Sequence, residues 1–162
     1  VAMHQLTGVL VEKSKADDRL SAQIAAERIM DWRLSGEGNM PFDWYANHND
    51  GRWADDENIK SPVLDLGTKE GIKVLKQLHE NTINEKKRAL EKCKKLLDEQ
   101  SIDDIFKNEK HMTLFPFFEV GRYRGLGVYL YDFDGEGVSN WWYKELNKEI
   151  DKYWLVLFDC HN

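Results

Sequence analysis

The chain has 162 residues, of which 41% are hydrophobic, and its 29 acidic and 23 basic side chains give a formal net charge of −6. A chain of this length supplies one well-filled core, so we expect a single domain over residues 1–162. The acidic balance opposes non-specific binding to duplex nucleic acid and to anionic membranes. The longest apolar runs are far shorter than the roughly 20 residues that a membrane helix requires, so no membrane span is expected.

The cysteines and the N-terminus indicate the compartment. Cys93 and Cys160 form neither a disulfide framework nor a zinc-ribbon spacing. The first residues lack the basic-then-apolar pattern of a signal peptide. We therefore expect a soluble protein of a reducing, intracellular compartment.

A strand and a helix are predicted at the start of the chain. Met3 to Glu12 is a short β-prone run and predicts the first strand. Ser14, with Asp17 three residues later, resembles a capping box, and apolar residues then recur at helical spacing until Gly36 and Gly38. The apolar positions of this predicted amphipathic helix are Leu20, Ile24, Ala25, Ile29 and Trp32.

Long helical patterns occupy the middle of the chain. After a short predicted strand at Phe42 to Tyr45, apolar residues recur at helical intervals from Thr68 onward, among lysines and glutamates. The pattern weakens over the polar residues 84–88, so one long helix and two helices with a break near Asn81 both fit. Ser101, with Asp104 three residues later, resembles a second capping box and predicts a short helical turn.

The C-terminal third is strand-like. Three strands are predicted, at Thr113 to Val120, Gly127 to Phe133 and Tyr153 to Cys160, with a helix at Val138 to Ile150 between the last two. Pro116 cannot donate a ladder hydrogen bond, which favours an edge or a bulge for the first of these strands. The order of elements predicts an α+β fold with a largely antiparallel sheet and helices packed on one face, on a decorated ferredoxin-like plan.

One hydrophobic core is expected to join these elements. The strands at both termini should lie in the same sheet, because both are apolar enough to be buried. The predicted core residues are Leu6, Val9, Val11, Ile24, Ile29, Leu75, Leu90, Leu114, Val128, Leu130, Leu155 and Leu157.

The irregular stretch from Met40 to Trp53 is the main candidate site. It combines aromatic with polar and charged residues, namely Phe42, Trp44, Tyr45, Trp53, Asp43, His48, Asp50 and Arg52. Arginine stacks on rings and binds phosphate oxygens, which indicates a pocket for a planar, phosphorylated ligand. Alternatively, the aromatic residues belong to the core and Arg52 pairs with a nearby aspartate. Because neighbouring strand residues point to opposite faces, only one of Trp44 and Tyr45 can join a pocket.

Two glycine-containing segments are weaker candidates. Arg122 to Gly127 can hold an anion with its backbone amides and with the guanidiniums of Arg122 and Arg124, although a glycine-rich connection fits this segment better. Asp132 to Gly137 is similar to the start of a calcium loop but lacks the distal glutamate, so an acidic turn fits better.

Residue spacing does not support catalysis. Asp159, Cys160 and His161 contain the parts of a thiol nucleophile, but adjacent strand residues point to opposite faces of a sheet. The histidines share no ligand spacing on one element, which disfavours a metal site; those considered are His4, His48, His111 and His161. We therefore predict no catalytic residue, no metal and no cofactor.

Three short motifs occur together: Phe42-Asp43-Trp44-Tyr45, Gly51-Arg52-Trp53 and Asp159-Cys160-His161. This combination resembles a loose group of uncharacterised, mostly phage-encoded small proteins that share FD-x-Y, GRW and DCH motifs. The group has no function that can be transferred. The resemblance implies a viral or mobile-element source, and hence the cytoplasm of a bacterial host. It also implies that the Arg-Trp turn lies near the C-terminal strand.

We expect a non-catalytic viral accessory protein of the anti-defence type, which binds or sequesters a small anionic, nucleotide-like ligand. The predicted ligand-binding residues are Trp44, Tyr45, Arg52, Trp53, Arg122, Arg124 and His161. A concave arrangement of the tryptophans and arginines would favour this function.

Two alternatives stay open. One is an acidic protein-binding inhibitor of the immunity or anti-restriction type, whose partner is a host defence protein. Its acidic patch would contain Asp132, Asp134 and Glu136. The other is a hydrolase or nuclease that uses Asp43, His48 and Asp50, for which no organised spacing is visible. Both the ligand identity and the oligomeric state are left open.

Overall fold

The computed structural model describes residues 3–36, 40–107 and 111–162. In chain order the elements are β1 (His4–Glu12), α1 (Arg19–Ile29), β2 (Trp44–Asn47), β3 (Val63–Asp65), α2 (Lys69–Glu99), α3 (Ile102–Lys107), α4 (His111–Gly121), β4 (Leu130–Tyr131), α5 (Asn140–Leu146) and β5 (Tyr153–His161). A π-helical turn, Met30–Leu34, continues α1, and 3-10 turns cover His48–Asp50 and Asn147–Lys152.

The C-terminal strand β5 is the centre of the sheet. It pairs antiparallel with β1 along its whole length, from His161 opposite His4 to Tyr153 opposite Glu12. Its other edge is covered first by β3 and then by β2, both antiparallel. β4 pairs in parallel with β1. The α+β class, the largely antiparallel pairing and the shared sheet of the terminal strands are therefore confirmed.

Helices pack on both faces of this sheet, which corrects the prediction of one covered face and one core. Val9 packs with Ala22 and Ala26 of α1, whereas the next strand residue, Leu10, packs with Leu75 of α2. Connections between parallel strands of one sheet are almost always right-handed. Two connections that run in opposite directions across the sheet therefore place their helices on opposite faces. α1 leads from β1 toward the β2 edge, and α2 leads from β3 back toward β4.

The sheet also departs from a ferredoxin-like plan. β2 and β3 do not form a hairpin, because each pairs separately with β5 and both run in the same direction. β1 and β2 are parallel with β5 inserted between them, which retains one split βαβ unit.

Small residues hold α1 close to the sheet. Its buried positions are Ala22 and Ala26. Ile24 is exposed, which corrects the predicted core, and Leu20 on the predicted apolar face of the helix is exposed as well. The helix is capped by Asp18, which accepts a hydrogen bond from the Ser21 amide at 2.7 Å, in place of the predicted box at Ser14 and Asp17. The predicted stop at Gly38 lies outside the described residues.

α2 is one continuous helix of 31 residues, without the break considered near Asn81. Its N-cap is Thr68, whose hydroxyl accepts a hydrogen bond from the Gly71 amide. Leu90 is 57% exposed and corrects another predicted core position. Ser101 caps the predicted short helical turn, because the Asp104 amide donates to the Ser101 hydroxyl at 3.1 Å at the start of α3.

Three C-terminal elements differ from their predictions. The segment Thr113 to Val120 lies in the helix α4, with Pro116 inside it, and is therefore neither a strand nor an edge. The strand predicted at Gly127 to Phe133 is reduced to the two residues of β4. The helix predicted at Val138 to Ile150 is capped by Ser139, and its last residues form a 3-10 turn. Among the described residues, no helix is both long enough and apolar enough to cross a membrane.

Candidate functional site

The pairing of β1 with β5 brings polar side chains together at one end of the sheet. His4 lies opposite His161, and Asp159 lies two positions before His161 on the same strand face. The His4 and His161 rings are 5.0 Å apart, and Trp44 of β2 stacks on His161 at 4.8 Å. We refer to these four residues as the histidine cluster.

Asp159 is the buried centre of the cluster, with 2% of its surface exposed. Its Oδ1 lies 2.8 Å from the Nδ1 of His4, and its Oδ2 accepts the backbone amide of Arg52 at 2.8 Å. A buried carboxylate is costly unless such partners satisfy it. The same contact places the Arg-Trp turn against the C-terminal strand, as predicted.

The His4 ring is held in one orientation by this carboxylate. Since a carboxylate only accepts hydrogen bonds, Nδ1 of His4 carries a proton. Within the described residues, the Nε2 of His4 has no hydrogen-bond partner. In the neutral imidazole, Nε2 is therefore an acceptor that is available to a ligand.

His4 lines a groove of about 550 Å³ between β1, the loop after β2 and α2. Trp53 provides an aromatic wall in this groove. On the α2 side, the Gln77 amide donates to the Asn81 side-chain oxygen at 2.9 Å. Ring and amide groups of this kind bind planar, polar ligands, and the volume falls in the range of small-molecule sites. We call this groove the aromatic arm.

A second groove, of about 270 Å³, continues from the first, because His4, Gln5 and Tyr129 line both. It contains the cations Lys86 and Arg122, and we call it the cationic arm. The two glutamates that line it are Glu85 and Glu119, and Glu85 is paired with Arg88 at 2.8 Å.

Among the described residues, neither cation of the cationic arm forms a salt bridge, although Glu85 and Glu119 line the same groove. Burial lowers the pKa of the Lys86 ammonium. Arg122 donates to the Leu126 carbonyl at 2.8 Å, and its guanidinium lies over Phe115 and Phe118 at 5.4 and 4.9 Å. The arrangement is suited to an anionic group.

The predicted ligand-binding residues do not all lie at one site. Trp53 and Arg122 line the arms, and Trp44 and His161 lie in the adjoining histidine cluster. Arg52 is exposed and provides only its backbone amide to the cluster.

Two further predicted residues lie elsewhere. Tyr45 points to the opposite face from Trp44, as expected, where it packs on Phe158 and donates a hydrogen bond to Asp31 at 2.6 Å. Burial, and then the Asp31 carboxylate, raise the pKa of Tyr45. Arg124 pairs with Glu136 at 2.5 Å, outside both arms.

The other candidates from the sequence, namely the thiol nucleophile, the metal site and the calcium-like loop, are not supported as reactive or metal-binding sites in the described residues. Cys160 is fully buried on the α1 face, and burial raises the pKa of its thiol to about 12, so it does not form a nucleophile pair with His161. The described residues contain no cluster of side chains suited to a metal, and the His111 side chain lies outside them. In the predicted acidic turn, Asp132 accepts the amides of Asp134 and Glu136.

Sequence reasoning missed four residues of the site: Asp159 as a partner of His4, His4 itself, Lys86 and Tyr129. His4 and Asp159 are 155 residues apart, so no local spacing reveals them. The one usable signal was the expectation that the two terminal strands share a sheet. Antiparallel pairing of the chain ends would have placed His4 beside the DCH motif.

Comparison with known proteins assigns a family to this chain. A family model described as a domain of unknown function, DUF7995, matches residues 3–162, which is nearly the whole chain. The chain belongs to this family. The predicted membership of an uncharacterised family is thereby confirmed, and the phage source and shared motifs stay predictions. No curated protein and no solved structure matches the chain.

Proposed function

We propose that this member of the DUF7995 family binds a small anionic, nucleotide-like ligand along the two joined arms. The observation that supports this function is their continuity: an aromatic wall at Trp53 and the cations Lys86 and Arg122 lie on the two sides of His4 and Tyr129. A planar group fits the aromatic arm while its phosphate lies in the cationic arm.

The contacts available to such a ligand have adequate strength. A base stacked on an aromatic ring contributes roughly 1–3 kcal/mol. Arg122 is already held by the Leu126 carbonyl and two phenylalanine rings, so little side-chain entropy is lost when it binds phosphate. The amides of Gln77 and Asn81 supply donors and acceptors for the edge of a heterocycle.

Concavity favours ligand capture over the alternative of an acidic protein-binding inhibitor. Trp53 and Arg122 line grooves, as the ligand interpretation expects, although Trp44 and Arg52 do not line either arm. The acidic-inhibitor alternative keeps the support of an exposed Trp44. The anti-defence role stays a prediction, which depends on the viral source implied by the sequence resemblance.

The test is calorimetric binding of a panel of linear and cyclic nucleotides to the parent and to variants of each arm. Trp53→Ala and Lys86→Met should each weaken binding by about ten- to a hundredfold, because each removes roughly 1–3 kcal/mol of ligand contacts. Circular dichroism melts should change little.

Two matched controls accompany these variants. Lys87→Met removes an exposed lysine next to Lys86, and Arg52→Ala removes an exposed side chain while keeping the amide that binds Asp159. Both controls should bind like the parent. The proposal is wrong if the parent binds no member of the panel, or if the controls and the arm variants lose affinity equally.

A further inference from the structure

Two side chains with complementary proton chemistry lie where the arms meet. His4 and Tyr129 each line both arms, so they lie beside the point at which a bound ligand passes from its planar group to its phosphate. We infer, on the basis of the proposed function, that the protein hydrolyses a phosphodiester in its ligand, with His4 as general base and Tyr129 as general acid.

The general-base assignment follows from the contacts of His4. Asp159 holds the proton on Nδ1 of His4, which leaves the lone pair of Nε2 as the available basic group. Asp159 is itself fixed by the Arg52 amide and is enclosed by Gly51, at which an added Cβ would lie 2.5 Å from the Asp159 Cβ. Asp159 is therefore a positioning residue for the imidazole.

The general-acid assignment follows from the setting of Tyr129. Its backbone amide donates to the Thr82 hydroxyl at 2.9 Å, which fixes the residue against α2. Its own hydroxyl has no hydrogen-bond partner within the described residues. Burial raises the pKa of this hydroxyl, so it keeps its proton at neutral pH and can donate it.

The step balances with water as the only co-reactant. The water oxygen forms a bond to phosphorus as Nε2 of His4 takes one of the water protons. The bond from phosphorus to the ester oxygen breaks, and that oxygen takes the proton of the Tyr129 hydroxyl. Solvent then returns the proton from His4 to Tyr129, and Lys86 and Arg122 stabilise the negative charge that develops on the phosphoryl oxygens.

A purely structural role for the pair predicts different behaviour. Asp159 and His4 could serve only to anchor the Arg-Trp turn to β5, in which case their replacement would change stability without affecting any reaction. Hydrolysis of a defined probe separates the two roles. The probes are 2′,3′-cyclic AMP and 3′,5′-cyclic AMP, followed by phosphorus NMR and chromatography of the products.

His4→Gln and Tyr129→Phe should each lower the rate of probe hydrolysis by about 10²- to 10⁴-fold, as expected for loss of a general base or acid. The alkaline limb of the pH–rate profile should disappear in Tyr129→Phe, because burial raises the pKa of this hydroxyl and its proton is then absent from the variant. Asp159→Asn should lower kcat with little change in KM, because an amide at this position can donate to Nδ1 and leave the proton on Nε2.

The matched control is Tyr123→Phe, which removes the hydroxyl of an exposed tyrosine outside both arms and should hydrolyse the probes like the parent. Failure of the parent to hydrolyse either probe while it still binds nucleotides would overturn the inference and leave the proposed function standing. Equal rates in the parent and in folded His4→Gln would also overturn it, since the activity would then come from a contaminant.

Discussion

Gly51 is the residue at which the loop after β2 contacts the central strand. Its φ of −101° is ordinary, so the requirement for glycine comes from space and not from backbone conformation. An added Cβ would lie 2.5 Å from the Cβ of Asp159 and 3.0 Å from its Oδ2. Any larger residue must displace the carboxylate that holds both His4 and the Arg52 amide.

Gly51→Ala should therefore destabilise the protein by about 1–3 kcal/mol, the usual cost of overpacking. Gly121→Ala is the control, because an added Cβ there meets no atom within 4 Å and alanine is the better helix former. Urea denaturation should show a lower midpoint for the first variant and an unchanged or higher midpoint for the second. Equal stability of Gly51→Ala and the parent would contradict the close approach.

The His4–Asp159 contact shows why single residues of this site resist prediction. Each residue has an ordinary local pattern at a strand end, and only the pairing register decides that they meet. Trp53 and Arg122 are candidates from the sequence because rings and guanidiniums bind planar and anionic groups, and their role in binding stays a prediction. That they line two arms of one continuous groove becomes visible only when α2 is placed beside the sheet.

At the scale of elements, α2 is the longest helix in the described chain and supplies one wall of the aromatic arm. The polar run at residues 84–88 suggested a break, yet the helix passes through it without interruption. Part of this run lies beside the cationic arm, so its polarity reflects the groove and not the end of a helix.

Asn84→Pro tests this continuity. A proline at this exposed interior position removes a helical hydrogen bond and clashes with the preceding turn, so it should destabilise the protein by about 3 kcal/mol. Lys69→Pro is the control at the first helical residue, since Thr68 before it is extended with a ψ of 154° and the first turn has no hydrogen bond to lose. Thermal melts should show a lower melting temperature for Asn84→Pro than for Lys69→Pro. A melting temperature of Asn84→Pro equal to that of the parent would indicate two helices with a break at this position.

The helix α4 shows tertiary packing overriding a strand-like pattern. Its phenylalanines and valine favour a strand, and Pro116 would normally exclude a helix interior. The segment nevertheless follows α3 and packs along α2, where its apolar side chains are partly covered. A strand there would have needed a free sheet edge, and no local residue shows whether one exists.

At the scale of the molecule, burial follows the two faces of the sheet. Leu157 and Phe158 are adjacent on β5 and both fully buried, but they belong to different hydrophobic clusters. A central strand that is covered on both faces has a continuous run of apolar residues, as in Tyr153 to Phe158. The same run is compatible with one core or with two, because alternation is lost when both faces are buried.

Leu75→Ala and Leu90→Ala on α2 test which helix face is buried. Leu75 is fully buried, so its truncation should lower the free energy of unfolding by about 2–5 kcal/mol. Leu90 is 57% exposed, and its truncation should change that free energy by no more than about 0.5 kcal/mol. Chemical denaturation measures both; similar losses would mean that Leu90 is buried in the folded state.

The sequence by itself determined the class of the fold, the terminal strands, the long charged helix and the aromatic-arginine candidates, because these depend on local periodicity and side-chain chemistry. Only the tertiary structure decided that helices cover both faces of the sheet, because the direction of each crossover depends on where the next strand pairs. It also decided the pairing of His4 with Asp159 and the joining of the two arms. Those contacts depend on the register between strands at opposite ends of the chain, which no local spacing encodes.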